Sequence, residues 1–320
     1  MDRKKSTALL LAASIAALLI GWHFLSAGAH TPDNRDYAVS QEGLLEYRMA
    51  SPPYNISPGK LEGNSSISEV RFESRGAEIA AILRIPGPEM PGPEIKRGIA
   101  EKRSIPGIVL LPGATITKEA EQGLARRLAD LGYASITLDQ RKLGMVDPQG
   151  DLQLFLQGDE PAEHKMVYDA LAAAMILRAL PEIDREWIIY AGESNGGRFA
   201  VIACALDKEA RGVLAISTCG YGAASALASA AGAIDADSAR FYLSIDPESY
   251  LKEISPRPLV MIHSRNDTVI PYHLAEQTYA LGREPKRLHT VGCATHGYCM
   301  EMYDALKEEL EKMAAKPEKD

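Results

Sequence analysis

The stretch Trp187-Ile188-Ile189-Tyr190-Ala191-Gly192-Glu193-Ser194-Asn195-Gly196-Gly197 decides how this chain is read. An apolar, β-prone run ends in Gly-x-Ser-x-Gly, and Phe199 to Ala203 continue with helix-like composition. Strand, tight turn and helix together distinguish a nucleophile elbow from a Gly-rich turn that happens to carry a serine. Such an elbow needs Gly192 and Gly196 where strand and helix backbones nearly touch. It also places the free N–H groups and positive dipole end of the new helix behind Ser194.

Outward from this stretch the chain alternates between two textures. Ile67 to Phe72 and Ile79 to Leu83 alternate apolar and polar residues about an Arg75-Gly76 turn, which predicts a β-hairpin. Gly107 to Leu111, bounded by Pro106 and Pro112, is continuously apolar, as a buried parallel strand requires. A helix follows with Ala120, Leu124, Leu128 and Leu131 on one face, stopped by Gly132. Ala134 to Leu138 is the next strand, and a long polar connection leads to a helix opened by Asp159 and Pro161. Beyond the elbow, strands are expected at Gly212–Ser217, Pro258–His263 and Arg287–Val291, with helices from Pro271 to Leu281 and Tyr298 to Met313. The Ala/Ser/Gly-rich segment from Gly220 to Ile234 reads as a soft lid or one more helix. The fold class is therefore α/β: a mostly parallel central sheet of about eight strands, helices on both faces, and an N-terminal β-hairpin.

A serine hydroxyl needs a base, and the base needs an orienting carboxylate. In this topology they follow in the order Ser, acid, His. Asp267 sits on the loop leaving the strand Leu259–His263, and His296 on the loop after Arg287–Val291. Both loops open at the sheet edge where Ser194 is presented. The other histidines compete poorly: His263 is inside a strand, His289 is in or beside one, His273 opens a helix, and His164 precedes the elbow. An oxyanion needs two backbone donors. The N–H of Asn195 is one, and the N–H of Ala114, in the loop after Leu111, is assigned as the other. No Cys/His spacing suggests zinc, and the chemistry requires no cofactor.

With 320 residues, 46% of them hydrophobic, the chain suffices for one large domain. A net charge of −8 argues against nucleic acid as a partner. Arg3, Lys4 and Lys5 precede an apolar run from about Thr7 to Leu25. Either a cleaved signal peptide, with Ala27-Gly28-Ala29 as its cleavage site, or a signal anchor fits; the length of the run favours the anchor. Both place the remainder outside the cytoplasm. The expected organisation is a signal or anchor at 1–29, a tether or irregular lead-in at 30–66, a catalytic domain at 67–313 and a polar tail at 314–320. Four cysteines, Cys204, Cys219, Cys293 and Cys299, allow three full pairings or none. Cys293 and Cys299 straddle His296, so a small closed loop there is one option.

The chain resembles an α/β-hydrolase of the dienelactone-hydrolase-like and prolyl-oligopeptidase-like branch over roughly Ile67 to Met313. The residues that carry the resemblance are Leu110-Leu111-Pro112-Gly113, Asp139-x-Arg141, Ile183-Asp184, Gly192-x-Ser194-x-Gly196-Gly197, His263-x-x-x-Asp267 and Thr295-His296-Gly297. The resemblance implies Ser194 as nucleophile, Asp267 as acid and His296 as base. It departs from dienelactone hydrolases themselves, which use a cysteine nucleophile. A histidine often stands where Pro112 does, and Arg-Gly is common where this chain has Arg141-Lys142. The expected function is hydrolysis of small-molecule carboxylic esters through an acyl-enzyme. Two alternatives are kept: a serine peptidase, whose relatives gate access with a propeller that the short lead-in lacks, and a non-catalytic binding module on the same scaffold. Neither substrate identity nor oligomeric state is readable, and a membrane is a partner only through an uncleaved N-terminal segment.

Overall fold

A computed structural model describes residues 36–92 and 104–315. The expected signal or anchor segment lies outside the described residues, as does the predicted tail beyond its first two positions. Among the described residues no helix is long and apolar enough to cross a membrane.

The elbow strand β9 (Ile183–Glu193) runs through the middle of a ten-stranded sheet. Its neighbours are β7 (Ile105–Leu111) and β10 (Gly212–Ile216), both parallel to it. From one edge the order is β12 (Lys286–Val291), β11 (Leu259–Ser264), β10, β9, β7, β8 (Ala134–Leu138), β6 (Ala77–Pro86), β5 (Ser65–Ser74) and β3 (Tyr54–Ile56), with β4 (Lys60–Glu62) also on β5. Strands β7 to β12 pair in parallel, whereas β5, β6 and β8 join antiparallel. Thus the predicted hairpin and parallel strands form an eight-stranded body, extended by two short strands at its edge.

Both faces of the sheet are covered, which is why its strands read as unbroken apolar runs. Alternate residues of each strand point to opposite faces. Val109, Leu111, Ile188 and Tyr190 pack with α3 (Ala162–Ala179) and α4 (Asn195–Leu206). Ile108, Leu110, Trp187, Ile189 and Ala191 pack with α1 (Gln122–Asp130) and α8 (Tyr303–Ala314). The helix α7 (Tyr272–Leu281) joins the first of these layers through buried Ala275.

Two expectations need correction, and one choice left open resolves to helix. Residues 36–62, read as part of an irregular lead-in, hold four strands. The first two, β1 (Tyr37–Val39) and β2 (Leu45–Tyr47), form a separate antiparallel pair. Leu45 is buried in the core, and its N–H is taken by the Tyr250 hydroxyl at 2.9 Å. Runs of three residues are too short to show an alternating pattern, so they looked like loop. The polar connection after β8 contains the helix α2 (Pro148–Gln157), whose Asp147 cap accepts from the Gly150 N–H at 3.1 Å. The Ala/Ser/Gly segment forms a helix, α5 (Ala223–Ser229), followed by a second, α6 (Ala236–Ile245), capped by Asp235.

At the elbow the glycines are required by contact. A Cβ on Gly196 would lie 2.1 Å from the Leu111 carbonyl oxygen and 2.4 Å from that of Pro112. A Cβ on Gly192 would lie 2.4 Å from the Gly196 carbonyl oxygen. Backbone atoms, not movable side chains, occupy both places. Gly196→Ala should therefore destabilise the protein by about 3 kcal/mol or more, read as a large fall in the urea midpoint. A midpoint within the error of wild type would show that α4 stands further from β7 than this geometry has it.

Candidate active site

Ser194 stands between β9 and α4 with φ 52° and ψ −120°, a strained conformation for a residue with a side chain. The strain is held by bonds on either side. The Ser194 N–H donates to the Ile216 carbonyl at 2.9 Å, and the Thr218 hydroxyl donates to the Ser194 carbonyl at 2.7 Å. The Ser194 hydroxyl makes no hydrogen bond among the described residues.

Asp267 and His296 are brought together from the ends of adjacent strands. His296 Nδ1 lies 2.9 Å from Asp267 Oδ2 and 3.1 Å from Oδ1. Oδ1 also accepts the N–H groups of Val269 at 2.8 Å and Ile270 at 2.9 Å. Burial pushes this carboxyl upward, but the His296 contact and the two backbone donors outweigh it, so its pKa lies below the usual value. The carboxylate accepts, so His296 Nδ1 is the donor of this pair. His263, set aside above as a strand residue, approaches from beneath: its Nε2 lies 2.9 Å from the Ile270 carbonyl and 3.6 Å from Asp267 Oδ2. Burial lowers its pKa and keeps it neutral, so it donates from Nε2. The spacing His263-x-x-x-Asp267 at a strand end was the signal for this contact.

His296 is carried on a loop closed by a disulfide between Cys293 and Cys299, while Cys204 and Cys219 are free and buried. That loop is seated against the elbow. Gly297 leaves room for Glu193, since a Cβ there would lie 2.6 Å from Glu193 Oε2. Its carbonyl accepts the Ser217 hydroxyl at 3.2 Å. The neighbours of Ser194 and His296 thus touch. Among the described residues no hydrogen bond joins the Ser194 hydroxyl to His296, whose ring bonds to Asp267.

The loop after β7 lies beside the elbow, and a Cβ on Gly113 would lie 3.4 Å from Ser194 Cβ. Among the described residues the N–H groups of Ala114 and Asn195 donate to no protein atom, whereas those of the adjacent Thr115 and Ile116 are bonded to Leu143 and Gly113 carbonyls. The structure also shows an acid pair that no motif announced. Glu193 and Glu121 lie against each other, close enough for the charge of Glu193 to act on Glu121. Burial, then the charge of Glu193, raises Glu121 to about 9. Glu193 is raised too, again by burial. Two buried carboxyls in contact cannot both ionise, so the pair retains a proton. A single Glu in a helix approach and another inside Gly-x-Ser-x-Gly give no sequence sign of their meeting.

Comparison with known proteins fits this architecture. The acetyl xylan esterase 1 of Thermoanaerobacterium superposes with a TM-score of 0.61 at 16% identity, over 83% of this chain and 89% of that one. The Pyrococcus horikoshii acylaminoacyl peptidase superposes with a TM-score of 0.55 at 19% identity, over 82% of this chain and 43% of that one. This chain has the α/β-hydrolase fold. A family model described as acetyl xylan esterase matches residues 155–252, under a third of the chain. That part of the chain includes Ser194 but neither Asp267 nor His296. The uncharacterised protein YfhR of Escherichia coli O157:H7 is 30% identical over 138 residues, 42% of this chain and 47% of that protein. The match therefore spans about half the length of the curated relatives.

The acid pair predicts a pH dependence of stability. The folded chain keeps a proton on Glu121 up to about pH 9, whereas an unfolded glutamate releases it near pH 4.3. Between those values the folded state binds the extra proton, so stability falls as pH rises. Glu121→Gln removes that slope and still donates to Glu193. Its melting temperature should exceed wild type by a few degrees at pH 8.5, with the gap closing toward pH 5. Parallel melting curves across that range would rule out the shared proton.

Proposed function

We propose that this protein is a serine hydrolase that cleaves carboxylic esters through an acyl-enzyme. The observation that carries the reading is the Asp267 carboxylate on His296 Nδ1 at 2.9 Å, beside a strained Ser194 at the head of α4. In this reading His296 Nε2 takes the proton of Ser194 as its oxygen attacks the ester carbonyl. Asp267 stabilises the imidazolium so formed. The free N–H groups of Asn195 and Ala114 receive the oxyanion. His296 then protonates the departing alcohol, and a water molecule, activated in turn by His296, releases the acid.

The esterase class is supported by the acetyl xylan esterase family match and by the acetyl xylan esterase fold neighbour. A peptidase remains the alternative, supported by the acylaminoacyl peptidase neighbour. Export, with tethering by an uncleaved N-terminal segment, is part of the same proposal. It is supported by Arg3, Lys4 and Lys5 before the apolar run and by the Cys293–Cys299 disulfide, which persists in oxidising compartments.

Labelling with a fluorophosphonate probe tests the nucleophile: wild type should label once, and Ser194→Ala not at all. A panel of p-nitrophenyl esters of increasing acyl length, beside acyl-peptide anilides, separates esterase from peptidase. Asp267→Asn should lower kcat by roughly 10⁴-fold, by analogy with the serine-protease triad, with much less change in KM. A loss below about tenfold would move the acid elsewhere.

A further inference from the structure

Arg198 lies one turn into α4 and is only 7% exposed. Its Nη1 donates to Asn195 Oδ1 at 2.6 Å, and its Nε donates to the Cys219 carbonyl at 2.8 Å. The guanidinium lies 4.2 Å from the centroid of the Tyr221 ring. No carboxylate pairs with it among the described residues. Three acids act on it at longer range, Glu163, Asp246 and Glu248, and burial raises all three, Glu163 to about 8. A buried cation without an ion-pair partner costs several kcal/mol in desolvation. Packing alone favours an apolar side chain at this position.

What Arg198 holds is the side chain of Asn195, gripped from both ends. Arginine has only donors, so it fixes Oδ1 toward itself and turns Nδ2 away. Nδ2 donates to the Gly144 carbonyl at 3.1 Å. Gly144 ends a turn in which Lys142, Leu143 and Gly144 all have positive φ, at 50°, 53° and 68°. Two side-chain-bearing residues in succession in this region hold the turn in a strained conformation. The same turn holds the loop after β7. The Leu143 carbonyl accepts the Thr115 N–H at 2.7 Å, and the Gln140 amide donates to the Pro112 carbonyl. A Cβ on Gly144 would lie 3.5 Å from Ala114 Cα. A continuous chain of contacts therefore runs from Arg198 through Asn195, Gly144 and Leu143 to Thr115. It links the two loops whose N–H groups, Asn195 and Ala114, are unbonded.

We infer that Arg198 is a positioning residue for the oxyanion site, acting through the Asn195 side chain to fix the spacing between the Asn195 and Ala114 N–H donors. The inference rests on the serine-hydrolase reading. Its unpaired charge, under the head of α4, adds to the positive potential of the helix terminus. Ground-state binding of an ester engages these donors weakly, and the tetrahedral intermediate engages them strongly. Loosening the clamp therefore lowers kcat and leaves KM nearly unchanged.

The test uses the full chain with Arg198→Met, Arg198→Lys, Asn195→Ala and the double variant Asn195→Ala with Arg198→Met. Rates on p-nitrophenyl acetate are expressed per active site, counted by end-point fluorophosphonate labelling. Arg198→Met should lower kcat by about 10²-fold, the scale of a lost oxyanion donor, with KM within threefold. Arg198→Lys, which keeps the charge but not the planar fork, should fall between it and wild type. In the Asn195→Ala background the further loss from Arg198→Met should be under threefold, because the two act as one unit. Multiplicative losses in the double variant, or an unchanged kcat in Asn195→Ala, overturn the inference even if Arg198→Met does not fold. A wild type that neither labels nor hydrolyses any ester overturns the hydrolase reading itself, and the inference with it.

Discussion

The closest backbone approach at the site is that of α4 to the end of β7. With Gly196 against the Leu111 and Pro112 carbonyls, the helix head cannot slide along the sheet or rotate away from it. This one contact fixes three things together. It forces the strained turn at Ser194, it brings the loop after β7 beside the serine, and it aims the free N–H groups of the first turn of α4 at the same point. Hydrophobic burial holds the sheet and its two helix layers together, but it does so without regard to fractions of an ångström. The glycine contact converts that loose cohesion into a defined geometry.

Around this contact the site is built from charges that burial has altered. Asp267 is held ionised by three hydrogen-bond donors. A few residues away, Glu121 and Glu193 are held partly protonated because they have each other and little else. Arg198 stays charged with dipoles and an aromatic face as its surroundings. Burial raises each of these carboxyls, and at Asp267 the donors aimed at it outweigh that rise.

What the sequence made legible was whatever depends on local order along the chain. The parallel strands showed as continuous apolar runs. Ser194, Asp267 and His296 showed because each follows a strand, in one order, and the latter two do meet in the fold. What stayed hidden depends on approach between distant segments. Strands β1 to β4 are too short to carry a period. The helix α6 follows a stretch of small residues that masks its start. His263 looked like core because its strand is core, yet it ends against Asp267. Arg198 looked like an ordinary helix cation; that it is buried, and grips the residue after the elbow serine, follows only from how Cys219 and Tyr221 fold over it. The cysteines form none of the three full pairings: Cys293 and Cys299 close the small loop that was one option, and Cys204 and Cys219 stay free.

The order of strands in the sheet has a consequence for synthesis. The serine follows a central strand, whereas His296 follows β12, the outermost parallel strand and the last in sequence among the described residues. A nascent chain carries its nucleophile for roughly a hundred residues before the imidazole exists. Until β12 docks on β11 the loop bearing His296 has no seat against Glu193. In the proposed mechanism the base therefore reaches its place only once the sheet is complete, after β12 has docked.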